Sequence, residues 1–159
     1  MPRNRSVALL ICGVAPLAFV VSTAYAAERT LEFQLVTKNL DPRTLDAPNI
    51  EGQTITQSKA FGVTVSKDGR IGTKEYIIAN DMNKGVGNSF GYSTYTFDDG
   101  TLAARFSLMI GPQGVHGEYK ILSGTGAYAG ASGTGTLDSI PSAIKNAGFF
   151  RVKMQVVTP

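Results

Sequence analysis

A chain of 159 residues with one cysteine and one histidine is sized for one domain, without a disulfide framework or a multi-histidine metal site. The formal charge is +3, and setting aside the two arginines at positions 3 and 5 leaves thirteen basic side chains against twelve acidic ones. A nearly neutral chain without a basic run argues against nucleic acid and against an anionic membrane surface as partners.

Arg3 and Arg5 open a basic start, residues 7–21 form an apolar run broken by Pro16, and Ala24-Tyr25-Ala26 closes it. This is the pattern of a secretory signal peptide, too short and interrupted to span a bilayer. The expectation is a leader over 1–26, a single domain over 27–159, and a secreted or periplasmic protein with no integral membrane segment after cleavage. Cys12 lies in the apolar run after Ile11, without the small preceding residue that a lipidated cysteine needs. Cleavage would therefore leave a cysteine-free chain, which excludes thiolate chemistry. Neither metal nor organic cofactor is expected.

From residue 27 onward the pattern is alternation broken by Gly, Asp and Asn, with no amphipathic window of helical length. Leu31, Phe33 and Leu35 alternate with Glu32 and Gln34 in a half-buried strand. Residues 40–53, with Asp41-Pro42 and Ala47-Pro48, read as a loop. Strands follow at 58–66 and 71–79 around Lys67-Asp68-Gly69-Arg70, an Asp-Gly hairpin signal. Residues 80–88 read as a polar, glycine-rich loop. The next hairpin joins 89–97 to 102–110 through Asp98-Asp99-Gly100. Its second strand alternates Leu102, Ala104, Phe106, Leu108 and Ile110. Gly111-Pro112-Gln113-Gly114 turns again into Val115, Gly117, Tyr119 and Ile121. A glycine-rich strand or loop spans 125–137, a connection holds Pro141, and Phe149–Val157 closes the chain. Roughly eight strands with no covering helix must pair or hide their edges. The density of glycine, which marks bends and close backbone approach, favours a closed barrel over a flat sandwich.

Ser-Gly-Thr-Gly occurs at 123–126 and again at 132–135. Gly124-x-Gly126-x-x-Ala129 formally fits a degenerate dinucleotide fingerprint. That motif needs a helix after the turn, and Gly130, Gly133 and Gly135 prevent one. The glycines are instead expected to shape the backbone of a bent strand pair.

Lys120-Ile-Leu-Ser-Gly-Thr-Gly-Ala-Tyr-Ala-Gly-Ala-Ser-Gly-Thr-Gly-Thr-Leu137 resembles the late-strand signature shared by dirigent proteins and allene oxide cyclases. Gly91-Tyr92 before a turn, the 102–110 strand and the closing strand also fit that layout. The resemblance covers about 30–157 and is most specific over 119–137. It implies a closed, antiparallel, eight-stranded all-β barrel around an apolar cavity, commonly in homotrimers. It also implies candidate site residues. A first-strand Glu and a nearby Asn act in the cyclases, and Glu32 and Gln34 resemble that spacing, with Gln replacing Asn. Alternation alone would instead bury Leu31, Phe33 and Leu35 and expose Glu32. Cavity Asp and Arg residues of the dirigent pattern point to Arg105, whose strand phase is opposite to the Leu102–Ile110 face and also suits an outward position. The expected ligand-binding walls are Tyr76, Phe90, Tyr92, Phe106 and Tyr119.

Three function classes follow. One is a barrel that binds or orients a small apolar ligand, fatty-acid-derived or phenolic, in its cavity. Another is a cofactor-independent cyclase or isomerase of the allene oxide cyclase type. The third is a non-catalytic structural protein of the envelope with a filled interior. The faces taken by Glu32, Gln34 and Arg105, and the size of the cavity, discriminate among them.

Overall fold

A computed structural model describes residues 26–159. The leader expectation, including Cys12, falls on residues 1–25, which lie outside the described residues.

The strands are β1 (Ala27–Asp46), β2 (Gln53–Ser66), β3 (Ile71–Asn83), β4 (Val86–Phe97), β5 (Gly100–Gly111), β6 (Gly114–Gly126), β7 (Ser132–Ser139) and β8 (Gly148–Thr158). Each pairs antiparallel with its neighbours in sequence, and β1 pairs with β8 to close the barrel. Closure gives every described strand two partners and leaves no open edge.

Alternation decides which side chains face inward. Leu31, Phe33 and Leu35 of β1, Leu102, Ala104 and Phe106 of β5, and Val152, Met154 and Val156 of β8 form the buried core with Tyr95, Tyr119, Ile121, Tyr128 and Leu137. One half of the interior is filled by aromatic rings. Phe33 packs on Tyr95 and Phe97 at 5.5 and 6.0 Å between centroids, and Phe97 packs on Tyr128 at 5.7 Å. Tilted and edge-on pairs at such distances add to the burial of the rings themselves. Tyr128 follows the Gly-Thr-Gly turn and is fully buried, while Arg29 covers its ring and bonds Asp99.

Two segments expected as loops are paired. Residues 43–46 continue β1 beyond a bulge between Leu40 and Arg43, and 54–57 pair with them. Asp41 takes φ 48° beside Pro42, which bends the strand without ending it. Residues 80–83 and 86–88 likewise extend the β3–β4 hairpin, joined at Lys84-Gly85 with φ 50° and 85°. Positive φ at both central residues is the tight hairpin geometry. Their polar composition reflects solvent exposure rather than the absence of pairing.

The glycine-rich segment divides into the end of β6, a turn over 127–130, and β7. Gly126 sits at φ +60°, where an added Cβ would also run into the Asp99 carbonyl. Its role is backbone geometry.

Candidate functional site

The other half of the interior is open. Several inward positions of the barrel are small: Ser89, Gly91 and Ser93 on β4, Ser58 and Ala60 on β2, and Ala104 on β5. Gly91 leaves room for Phe106, whose ring a Cβ at that position would strike. A cavity of about 650 Å³ lies among inward residues of β1, β3, β5 and β6. Leu35, Ile78, Leu108, Ile110, Leu137 and Phe150 give it apolar walls, and Asn39, Asn80 and Asn146 bring amides to its lining.

The cavity also contains Lys74, which the sequence reading did not single out. Its side chain lies on the inward face of β3, 3% exposed. Nζ donates a hydrogen bond to the Tyr119 hydroxyl at 2.9 Å, and the Tyr95 hydroxyl donates to the same oxygen at 2.9 Å. Rings surround the nitrogen, with centroids at 4.3 Å for Tyr76, 4.7 Å for Phe106, 5.1 Å for Tyr119 and 5.3 Å for Tyr95. Lys74 makes no ion pair among the described residues. Burial disfavours its charged form and lowers its pKa from 10.5 to about 7. Burial likewise raises Tyr76, Tyr95 and Tyr119 above the ordinary phenol value. The arrangement places one amine of near-neutral pKa and two linked phenols in a chamber with largely apolar walls. It can accept a proton and donate hydrogen bonds.

The expected site residues divide. Tyr76, Phe106 and Tyr119 line the cavity together with Lys74. Phe90 and Tyr92 point outward, 53% and 51% exposed, because Gly91, Ser93 and Tyr95 take the inward phase of β4. Glu32 also lies on the outer face, its carboxylate 3.0 Å from Lys67 and 3.1 Å from Lys153. Hydrogen bonds from those two ammonium groups lower its pKa. Gln34 and Arg105 are exposed in the same outward phase. The buried phase of β1 belongs to Leu31, Phe33, Leu35 and Thr37, so the spacing shared by Glu32 and Gln34 presents them to solvent. None of these three side chains reaches the cavity.

No family model and no curated protein matches the chain. Solved structures do. The pterocarpan synthase dirigent protein GePTS1 superposes with a TM-score of 0.61 at 16% identity, covering 91% of this chain and 96% of that one. The Diels Alderase AbmU from Streptomyces koyangensis superposes at 0.57 with 12% identity, covering 87% and 72%. A second pterocarpan synthase dirigent protein, PsPTS1, gives 0.53 at 14% identity over 82% and 94%. At such identities the likeness is one of fold, and it agrees with the resemblance carried by residues 119–137: this chain has the dirigent-like β-barrel fold.

Proposed function

We propose that the barrel binds and orients one small, predominantly apolar molecule, fatty-acid-derived or phenolic, in the cavity beside Lys74. The observation that carries this reading is the uneven filling of the interior. Aromatic rings pack against one another in one half, while about 650 Å³ stays open beside Lys74 in the other. An eight-stranded barrel is near the size at which side chains either fill the interior or leave room for one ligand. A structural envelope protein would have no use for the opening. The positions of Glu32, Gln34 and Arg105 outside it weigh against cyclase chemistry through those residues. Tyr76, Phe106 and Tyr119 serve as walls. The fold neighbours described as a synthase dirigent protein and a Diels Alderase support a small-molecule role.

The leader pattern supports export with cleavage after Ala26. The family resemblance supports self-association as trimers, and the outer face supplies an apolar surface for it in Phe61, Ile77, Tyr92 and Leu122.

Native mass spectrometry of protein purified from its own source tests the reading. The expected result is a retained small molecule, one per subunit, lost in Ile78→Trp, which fills the cavity. Retention undiminished in folded Ile78→Trp would overturn the cavity as the binding site.

A further inference from the structure

We propose that Lys74 and Tyr119 form an anchoring site for a carboxylate, so that the molecule taken by the cavity is an apolar acid bound as an ion pair with Lys74. The inference rests on the cavity being a ligand site, as argued above, and adds the chemical class of the ligand's polar end.

Hydrogen-bond accounting motivates it. With Lys74 charged, the Tyr119 oxygen accepts from both Nζ and the Tyr95 hydroxyl. The proton of Tyr119 then has no acceptor among the described residues. The ammonium itself has no carboxylate to face it. With Lys74 neutral, Tyr119 can instead donate to the amine while accepting from Tyr95, and the Tyr119 proton has an acceptor. Protonation therefore leaves an unbalanced cation, two of its N–H groups and the Tyr119 O–H without an acceptor among the described residues. A carboxylate supplies what is missing. One oxygen accepts from Nζ, the other from the Tyr119 O–H, and the charge is balanced in a low-dielectric site where such bonds are strong. The rings around Nζ favour the cation once it forms.

Groups from other elements do not duplicate this role. Facing Lys74 are Tyr76 on its own strand, Tyr95 from β4, Phe106 from β5 and Tyr119 from β6. The three phenols stay protonated because burial raises them. Leu35 and Thr37 of β1, Leu137 of β7 and Phe150 of β8 are uncharged, and Gly62 of β2 is the backbone partner of Lys74. Lys38, exposed on β1, is the other charged residue lining the cavity.

The step is a proton uptake from solvent. A ligand acid is already ionised near neutral pH, so the neutral amine takes one proton as the carboxylate docks. Decanoic acid and decan-1-ol share a chain and differ at the end that meets Lys74. Calorimetric titration in buffers of different ionisation enthalpy counts the protons. With the amine near pKa 7, decanoate should take up about 0.9 proton at pH 8 and about 0.1 at pH 6. Its affinity should fall about a hundredfold from pH 6 to pH 9, while that of the alcohol stays level. Lys74→Met should abolish the proton uptake and bring the acid down to the alcohol's affinity. Lys67→Met, on the outer face beside Glu32, should leave the uptake in place.

Equal, pH-independent binding of acid and alcohol without proton uptake would overturn the anchoring site and leave the cavity reading standing. Proton uptake that persists in Lys74→Met would also overturn it. Failure of both probes to bind would overturn the two readings together.

Discussion

Lys74→Met separates the stability cost of the buried amine from everything else in the barrel. The amine is 3% exposed, and burial brings its pKa from 10.5 to about 7. That difference corresponds to about 5 kcal/mol of destabilisation at pH values below 7, by the free energy of one pKa unit. The sign follows from proton counts. Above pH 7 the folded protein has released the Lys74 proton, while the unfolded chain holds it until the pH approaches 10.5. The unfolded state therefore binds more protons across this window, and stability rises with pH. Integrated from pH 7 to pH 9, Lys74 contributes a gain of about 2 kcal/mol. Chemical denaturation of the wild-type protein and of Lys74→Met at several pH values isolates it as the difference between the two slopes. Methionine has the length and flexibility to occupy the lysine's path and carries no charge. The variant should be the more stable protein at pH 6, and the gap between the two curves should narrow by about 2 kcal/mol as the pH rises from 7 to 9. Parallel curves would refute the reasoning, since they would mean that Lys74 ionises alike in both states.

Other consequences are simpler to read. In a spectrophotometric titration of the phenols, Tyr95 and Tyr119 should stay protonated above pH 10 until the barrel itself unfolds, because burial raises both. Gly126→Ala should lower stability by about 1 kcal/mol or more, read from denaturation midpoints, because φ +60° strains a residue with a Cβ and the Asp99 carbonyl blocks its place. Glu32→Gln should leave ligand affinity unchanged in calorimetry, because its ion pairs with Lys67 and Lys153 lie on the outer surface. Ile77→Lys should reduce the mass found by light scattering if copies associate through the outer face where Ile77 is 55% exposed.

The fold was legible because alternation and turn signals are local in origin. The Leu102–Ile110 strand reads as one apolar face, and the structure places that face toward the interior. The Asp-Gly turns at 68–69 and 99–100 mark their hairpins. The Gly-Thr-Gly repeat marks the bend into β7. The extensions of β1–β2 and β3–β4 were not legible, because polar paired segments have the composition of loops. Residues 80–83 and 86–88 bury no apolar face, so hydrophobic periodicity says nothing about them. Backbone pairing from the adjoining barrel strands extends through them instead.

The site is harder to read because apolar residues occupy both faces of β3 and β4. Phe90 and Tyr92 alternate as convincingly as Tyr95 and Phe97, and composition alone does not choose between them. Register does. β5 has the unambiguous face, and the turn at Asp98–Gly100 pairs Leu102 with Tyr95. Tyr95 therefore shares the interior with Leu102, and Phe90 and Tyr92 fall outside. The turn at Lys84-Gly85 then pairs Tyr95 with Lys74, and the lysine must point the same way. Once β3–β4 is recognised as a tight hairpin, the inward lysine follows from the face of a neighbouring strand, two pairings away. Reading Lys84-Gly85 as part of a loop removes that step. The same extension of the β3–β4 hairpin that composition concealed is thus what places an amine inside the chamber, against Tyr119, where a ligand acid can meet it.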